Sequence, residues 1–400
     1  GLANVADFVF HFWMGRTLSP AEFAILQTLN SVLLIYISVS GVFQPAVGRF
    51  VAEARALGEP DSIPSIFLSF AKAAFWVGLV LAALVAGFSR GFSMWLNLPV
   101  WSIQVSAVLI FLSTLRPVAM GVLQGLENFV PLGLARLLTA LGRLVIGVIL
   151  VGSGLRLRGA VTAIPLGWIV GVLAAYLSLG RSVWARTQPV TGLLGRGWEL
   201  SLYALLAYLA FMSLTSLDLV WVNRMLPGDL AGAYASLVLL RRVIALLPAA
   251  AVTVMFPRIA AALAQDRLPD RLLLNAAVLI LATSGGLALL YFGMGDRLIL
   301  ATFGAAYAPA AAWLGWMGIA MAGISLSSIW LNYYLAEQPA IFVTFLGAAV
   351  VLEWALLAMS TPSIQSAVLA FGITGWSLAL GGLILYLGKF RPALQARQAK

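Results

Sequence analysis

The chain has no cysteine, a single histidine (His11), and charge on only 10% of its 400 residues. Each shortage excludes something. Without cysteine there are no disulfides and no thiolate metal sites. One histidine leaves little material for a metal or catalytic cluster, and no cofactor is expected. A soluble domain carries about 25% charged residues, so this chain lacks the polar surface a water-soluble fold needs. No Gly-x4-Gly-Lys-Ser/Thr phosphate loop occurs, so any energy coupling must draw on an ion gradient, the membrane potential or a downstream polymer-forming step.

What is present is apolar: 62% hydrophobic residues and a mean hydropathy of +1.01. The apolar residues come in long blocks, and blocks of about 20 residues are what a helix needs to cross roughly 30 Å of hydrocarbon. Barrel strands are shorter and alternate polar with apolar, so helices are expected. Read against breakers such as Ser19-Pro20, Glu59-Pro60-Asp61, Asn97-Leu98-Pro99, Pro227-Gly228-Asp229, Gln338-Pro339 and Thr361-Pro362, the blocks give spans near 2–14, 22–47, 63–88, 100–124, 129–152, 159–180, 198–222, 230–256, 271–293, 308–335, 340–359 and 364–388. The expected fold is an all-α integral membrane protein of about twelve helices with short loops. The chain opens at Gly1 rather than Met and runs straight into an apolar stretch, which points to a trimmed start and no cleavable signal peptide.

The net charge of +10 is scattered between apolar blocks, so it does not mark a nucleic-acid surface. With the N-terminus inside, Arg49, Arg55, Arg181, Arg186, Arg196, Arg258, Arg267, Arg271, Lys389, Arg391, Arg397 and Lys400 fall on the inner side. Arg16, Arg90, Arg156, Arg158, Arg224 and Arg297 fall outside. Twelve against six is the sense of the positive-inside rule, so both termini are expected in the cytoplasm. Trp13, Trp76, Trp95, Trp101, Trp168 and Trp198 lie near span ends and read as interfacial anchors.

The halves resemble one another. Arg16 and Arg224 are 208 positions apart, Phe23 and Tyr234 are 211 apart, and Pro45 and Pro257 are 212 apart. Leu123-Gln124-Gly125 and Leu331-Asn332-Tyr333 repeat at 208. An offset near half the chain implies two six-helix bundles, residues 1–190 and 191–400, with a substrate site at the interface of the repeats.

The segment His11-Phe-Trp-Met-Gly-Arg16-Thr-Leu18-Ser-Pro-Ala-Glu22-Phe23-Ala resembles the first-loop pattern of polysaccharide-biosynthesis flippases, loosely Arg-x-Leu-Gly-Pro-x-Glu-Tyr-Gly. Arg49-Phe-Val-Ala-Glu53, Asp218 with Arg224, Ala231-Gly232-Ala-Tyr234 and Phe256-Pro257 are similar to the same family. Ser19, Phe23 and Ala24 depart from it in turn geometry. The family belongs to the multidrug/oligosaccharidyl-lipid/polysaccharide exporter superfamily. The resemblance implies two lobes forming a V-shaped cavity that opens alternately to each side of the bacterial inner membrane. It also implies a lipid-linked oligosaccharide as substrate, and polysaccharide-assembly proteins as partners alongside membrane lipids.

Inside the spans lie Lys72, Arg116, Arg136, Arg143, Arg241 and Arg242 against Asp7, Asp218 and Glu353. Each cation at a span centre costs roughly 2.5–3.5 kcal/mol on the insertion scale, so such residues should face water or a partner. Arg136, Thr139 and Arg143 share one helical face. Arg116 precedes Pro117, where a distorted turn can free a carbonyl. Arg136, Arg143, Arg116, Lys72, Arg242, Arg49 and Arg16 are the candidate anion site, since a guanidinium meets phosphate oxygens through two parallel hydrogen bonds. Several have structural alternatives: Arg16 can snorkel, Arg49 can pair with Glu53, and Arg241 and Arg242 cannot both face one cavity. Ser325, Ser328 and Asn332 form a polar stripe suited to sugar hydroxyls. Asp7, Asp218, Glu353 and His11 are the few candidates for ion coupling, with a packed histidine and a balancing aspartate as the plainer readings. The expected activity is flipping of an anionic, polyprenyl-pyrophosphate-linked saccharide, not catalysis. A cation-coupled multidrug exporter would carry carboxylates in its lobes. A membrane glycosyltransferase, polymerase or ligase would show a large loop with acidic or histidine catalytic groups.

Overall fold

In hydrocarbon every backbone N–H and C=O must find its partner within the chain, and a helix does this locally. The computed structural model describes residues 2–41, 43–185, 198–265, 268–337, 339–392 and 395, and no strand occurs among them. It divides into two compact units, Gly1–Leu205 and Leu206–Lys400. The division expected between residues 190 and 191 lies outside the described residues, as do Arg186, Arg196, Arg267, Arg397 and Lys400.

The first unit contains α1 (Leu2–Thr17), α2 (Pro20–Gly41), α3 (Phe43–Ala56), α4 (Ile63–Gly87), α5 (Ser89–Leu96), α6 (Val100–Gly125), α7 (Phe129–Leu150) and α8 (Arg156–Leu177). The α1–α2 turn is fixed by a capping box, in which Ser19 Oγ accepts from the Glu22 N–H at 3.3 Å and Glu22 Oε2 accepts from the Ser19 N–H at 3.0 Å. Helix α6 is the centre of the unit and packs on α2, α3, α4 and α8. Gly121 and Gly125 let α3 approach it closely: a Cβ on Gly125 would stand 2.5 Å from the Gly48 carbonyl oxygen. Small residues four apart allow this contact where lipid supplies no hydrophobic drive between helices. Helices α7 and α8 form an antiparallel hairpin. Gly171 meets Ala135 and Thr139, Gly167 meets Arg143, and Gly159 meets Leu150. Its turn is a π-helical stretch, Val151–Leu155, with Gly154 at φ 94° and Arg156 at φ 43°.

The second unit contains most of α9 (Trp198–Leu214), then α10 (Leu217–Met225), α11 (Gly228–Ala264), α12 (Asp270–Thr302), α13 (Ala311–Glu337), α14 (Pro339–Met359) and α15 (Ile364–Leu385). Helix α13 is its centre, packed on α11, α12 and α15. Its buried face carries Trp330, Tyr333 and Tyr334, which stack with Phe342, Tyr386 and Phe390 in a closed aromatic core.

Nine segments among the described residues are long and apolar enough to cross a membrane. One of them, Phe129–Leu177, holds the α7–α8 hairpin and so makes two passes. With α1 and α11 added, the twelve expected spans are all present as helices. Three differences have physical causes. Helix α12 runs 33 residues, about 50 Å, because Asp296 and Arg297 mark the end of the apolar block without ending the helix. The seventh span breaks at Thr215-Ser216 into α9 and α10. The short α5 was not expected; its exposed Phe92, Met94 and Trp95 and its left-handed cap at Asn97 (φ 53°) suit a helix lying along an interface.

Candidate anion site and buried charge networks

In the first unit the charges sort into two groups. Arg143, buried on α7, forms an ion pair with Asp7 of α1, and its guanidinium lies 4.6 Å from the centre of the Phe10 ring. Helix spacing does put Arg136, Thr139 and Arg143 in one row. The row, however, runs from an exposed end at Arg136 to a buried end at Arg143, where Gly167 of α8 admits the side chain. Thr139 donates to its own helix, to the Ala135 carbonyl at 2.8 Å.

Arg136 instead lies within electrostatic reach of Arg116 on α6. Neither forms an ion pair with any described residue. Arg116 rides 4.7 Å from the ring centre of Trp168 on α8, and its buried Nε has no hydrogen-bond partner among the described residues. Trp168 is therefore a buried platform rather than an interfacial anchor; it is 8% exposed. The α6–α7 turn and the end of α8 share one side of the unit. From there Arg116 and Trp168 are each about 13 Å deep and Arg136 about 10 Å. Pro117 deprives the Ser113 carbonyl of its i→i−4 donor; close by, the Leu115 carbonyl accepts from the Tyr176 hydroxyl at 3.0 Å. The arrangement is thus two like charges with no ion-pair partner among the described residues, one of them stacked on indole.

The other proposed anion ligands are scattered. Lys72, Arg49 and Arg16 are exposed on α4, α3 and α1. Arg49 does not pair with Glu53; the rim pair in that region is Arg55 with Glu127 at 3.1 Å. Glu22, prominent in the first-loop motif, takes two hydrogen bonds from Arg156, at 3.1 and 2.8 Å, as well as capping α2.

The second unit holds a buried network that sequence spacing did not assemble. Arg241 of α11 grips Asp218 of α10 with both terminal nitrogens, one to each carboxylate oxygen. Its Nη2 also donates to the Thr215 carbonyl at 2.8 Å, satisfying a backbone acceptor at the α9–α10 break. The Tyr234 hydroxyl donates to Asp218 Oδ2 at 2.5 Å, and the Phe371 ring centre lies 4.1 Å from the guanidinium carbon. Arg241 is thus the structural member of the Arg241-Arg242 pair, and Arg242 is half-buried beside it. Glu353 of α14 is 1% exposed and within electrostatic reach of Asp218 and Arg241, yet among the described residues neither of its carboxylate oxygens has a hydrogen-bond partner. On α13, Asn332 donates to the Ser328 carbonyl at 2.8 Å and Ser328 to the Ser325 carbonyl at 2.6 Å, so much of that stripe's polarity is spent within its own helix. The side chains of Phe256, Pro257 and Trp198 lie outside the described residues.

The fold resembles that of solved multi-pass membrane proteins. No protein-family model and no curated protein matches the chain. Among solved structures it is similar to an inward-facing multidrug resistance MATE family transporter of the MOP superfamily, at 14% identity over 99% of this chain and 95% of that one, with a TM-score of 0.82. It is also similar to the lipid II flippase MurJ in an inward closed conformation, at 13% identity over 96% and 86% of the two chains, with a TM-score of 0.72. A eukaryotic MATE transporter gives 0.69 at 13% identity over 99% and 94%. At such identities the likeness is one of fold.

Proposed function

We propose that the protein is a flippase that moves an anionic, lipid-linked oligosaccharide across the bacterial inner membrane by alternating access, with both termini in the cytoplasm. The observation that carries this reading is the Arg116–Arg136 pair on its Trp168 platform. Once ion pairs are assigned, the charges within the spans of the second unit balance: Asp218 and Glu353 against Arg241 and Arg242. Those of the first do not, because Asp7 answers only Arg143. The surplus cations sit in the inner leaflet's depth, where a pyrophosphate headgroup drawn from that leaflet would pass. An apolar cleft in the same unit, lined by Phe43, Phe70, Ala74, Val77 and Val118, suits part of an isoprenoid tail. The MurJ likeness adds a flippase of the same fold. Polysaccharide-assembly proteins would be the functional partners.

A second reading, export of a cationic compound, is favoured by one residue, Glu353, a buried carboxylate with no hydrogen bond among the described residues. Native mass spectrometry separates the two. The protein should bind a polyprenyl-pyrophosphate saccharide more tightly than a lipophilic cationic dye, and Arg116→Ala/Arg136→Ala should weaken the lipid at least tenfold. Dye binding without lipid binding would move the protein to the exporter branch.

A further inference from the structure

His11 is 1% exposed in the core of the first unit, and its Nδ1 lies 2.9 Å from Gln27 Nε2 on α2. An amide NH2 only donates, so in this arrangement Nδ1 must accept, and the proton of the neutral ring sits on Nε2. The other half of the amide, Gln27 Oε1, is buried with no hydrogen-bond partner among the described residues. A buried acceptor left unsatisfied is unfavourable, and here a second arrangement removes the defect. With a proton on Nδ1, two donors would face each other. Turning the Gln27 amide by half a revolution places Oε1 against that proton and satisfies the orphan. The Nε2–H ring is held by the amide as it stands and the imidazolium only by the turned amide, so uptake of a proton by the Nε2–H tautomer switches the pair; a neutral Nδ1–H ring would also fit the turned amide, so the switch requires the Nε2–H tautomer.

The charged surroundings give that proton a consequence. Helix α1 packs on α7 and α2. On α1 itself, Asp7 stands one turn before His11 on the same face. From α7 comes Arg143, paired with Asp7 and lying over Phe10, whose ring is 5.1 Å from that of His11. From α2 the charged group is Glu22, engaged by Arg156 near the helix start; Gln27 and Asn30 are neutral. An imidazolium beside this lock attracts Asp7 and repels Arg143.

We propose that His11 and Gln27 form a proton site that controls Arg143: protonation loosens the Asp7–Arg143 pair and makes a third guanidinium available, two turns along α7 from Arg136. Resting on the flippase reading above, it makes proton binding and anion binding favour one another, as linkage requires of two ligands sharing one state.

Because His11 is the only histidine, 15N-histidine labelling gives one imidazole, observable by NMR of the whole protein in nanodiscs. The expected result is the Nε2–H tautomer at pH 8.5, protonation between pH 8 and 5, and a changed titration in Gln27→Leu. An Nδ1–H tautomer, or a ring that stays neutral to pH 5, overturns the proton site. The second arm measures farnesyl pyrophosphate binding at pH 8 and 5.5. Since the probe itself titrates, wild type is compared with His11→Phe at each pH. Wild type should gain at least five-fold more affinity on acidification than the variant. Equal gains with a titrating His11 overturn the control of Arg143. Absence of pyrophosphate binding at either pH, with His11 titrating as expected, overturns the flippase reading and leaves the proton site standing.

Discussion

Arg241→Met tests the second unit's network most severely. The guanidinium is 2% exposed and faces Asp218, which is fully buried, and Glu353, at 1% exposure. Removing it strands two carboxylates, and breaking a buried pair from one side costs about 3–5 kcal/mol. At about 2–4 °C per kcal/mol for a unit of this size, the melting temperature should fall by roughly 6–20 °C. Asp218→Asn should cost less, about 2 kcal/mol, because Arg241 can turn to the unpartnered Glu353. Glu353→Gln should be neutral or stabilising, since it removes a buried charge that makes no hydrogen bond. The double variant Asp218→Asn/Glu353→Gln takes away both counter-charges and leaves the buried guanidinium uncompensated, so it should approach the Arg241→Met loss. Thermal melts of purified protein, read by tryptophan fluorescence, give the four values. If Glu353→Gln proves as damaging as Asp218→Asn, then Glu353 is an equal partner and the ranking fails. If the double variant equals Asp218→Asn alone, Glu353 is no alternative acceptor.

Two further outcomes follow from backbone geometry. Gly125→Leu puts a side chain where even a Cβ would lie 2.5 Å from the Gly48 carbonyl, so α3 and α6 must separate; expression and thermal stability should fall by the equivalent of about 1–3 kcal/mol or more, and an unchanged melt would show the contact to be loose. Arg156→Gly should be nearly neutral in the same assay. It loses an exposed ion pair worth about 0–1 kcal/mol, while glycine relieves a φ of 43° that costs an ordinary residue about 1 kcal/mol or more. Arg156→Ala keeps that strain and should be the worse of the two.

The fold was largely legible because its signal is repeated over some twenty residues at a time. A block such as 129–152 cannot hide in water, and Phe129–Leu150 is a helix. Helix interruptions were not legible. Nothing in Thr215-Ser216 is a strong breaker, and α9 ends there beside an arginine, 26 positions later in sequence, that satisfies the exposed carbonyl. The candidate site was half legible. That intramembrane arginines need partners follows from the cost of burying charge, but which partner depends on packing between helices far apart in sequence. Arg143 and Asp7 are separated by most of the first unit, whereas Arg136 and Arg143 are neighbours in a heptad. Periodicity sees only the second relation. The glycines at 167 and 171, which let α8 cover one end of that row, carry the missing information, but their effect becomes visible only when the hairpin is built.

Asp7 and Asp218 stand 211 positions apart, each on the opening span of its unit, and each is paired to an arginine. The arginines are not counterparts. Arg143 comes from the fifth span, while Arg241 comes from the second. The position 210 after Arg143 is Glu353, a carboxylate where the first unit has a guanidinium. At the sequence offset that relates the halves, the aspartate is retained while its cation comes from a different helix. The corresponding place carries the opposite charge, so the second unit closes its ledger internally through Arg241 and Arg242. The first unit keeps Arg116 and Arg136 without an ion-pair partner among the described residues, and on the flippase reading proposed above that asymmetry would give an anionic headgroup a preferred half to meet.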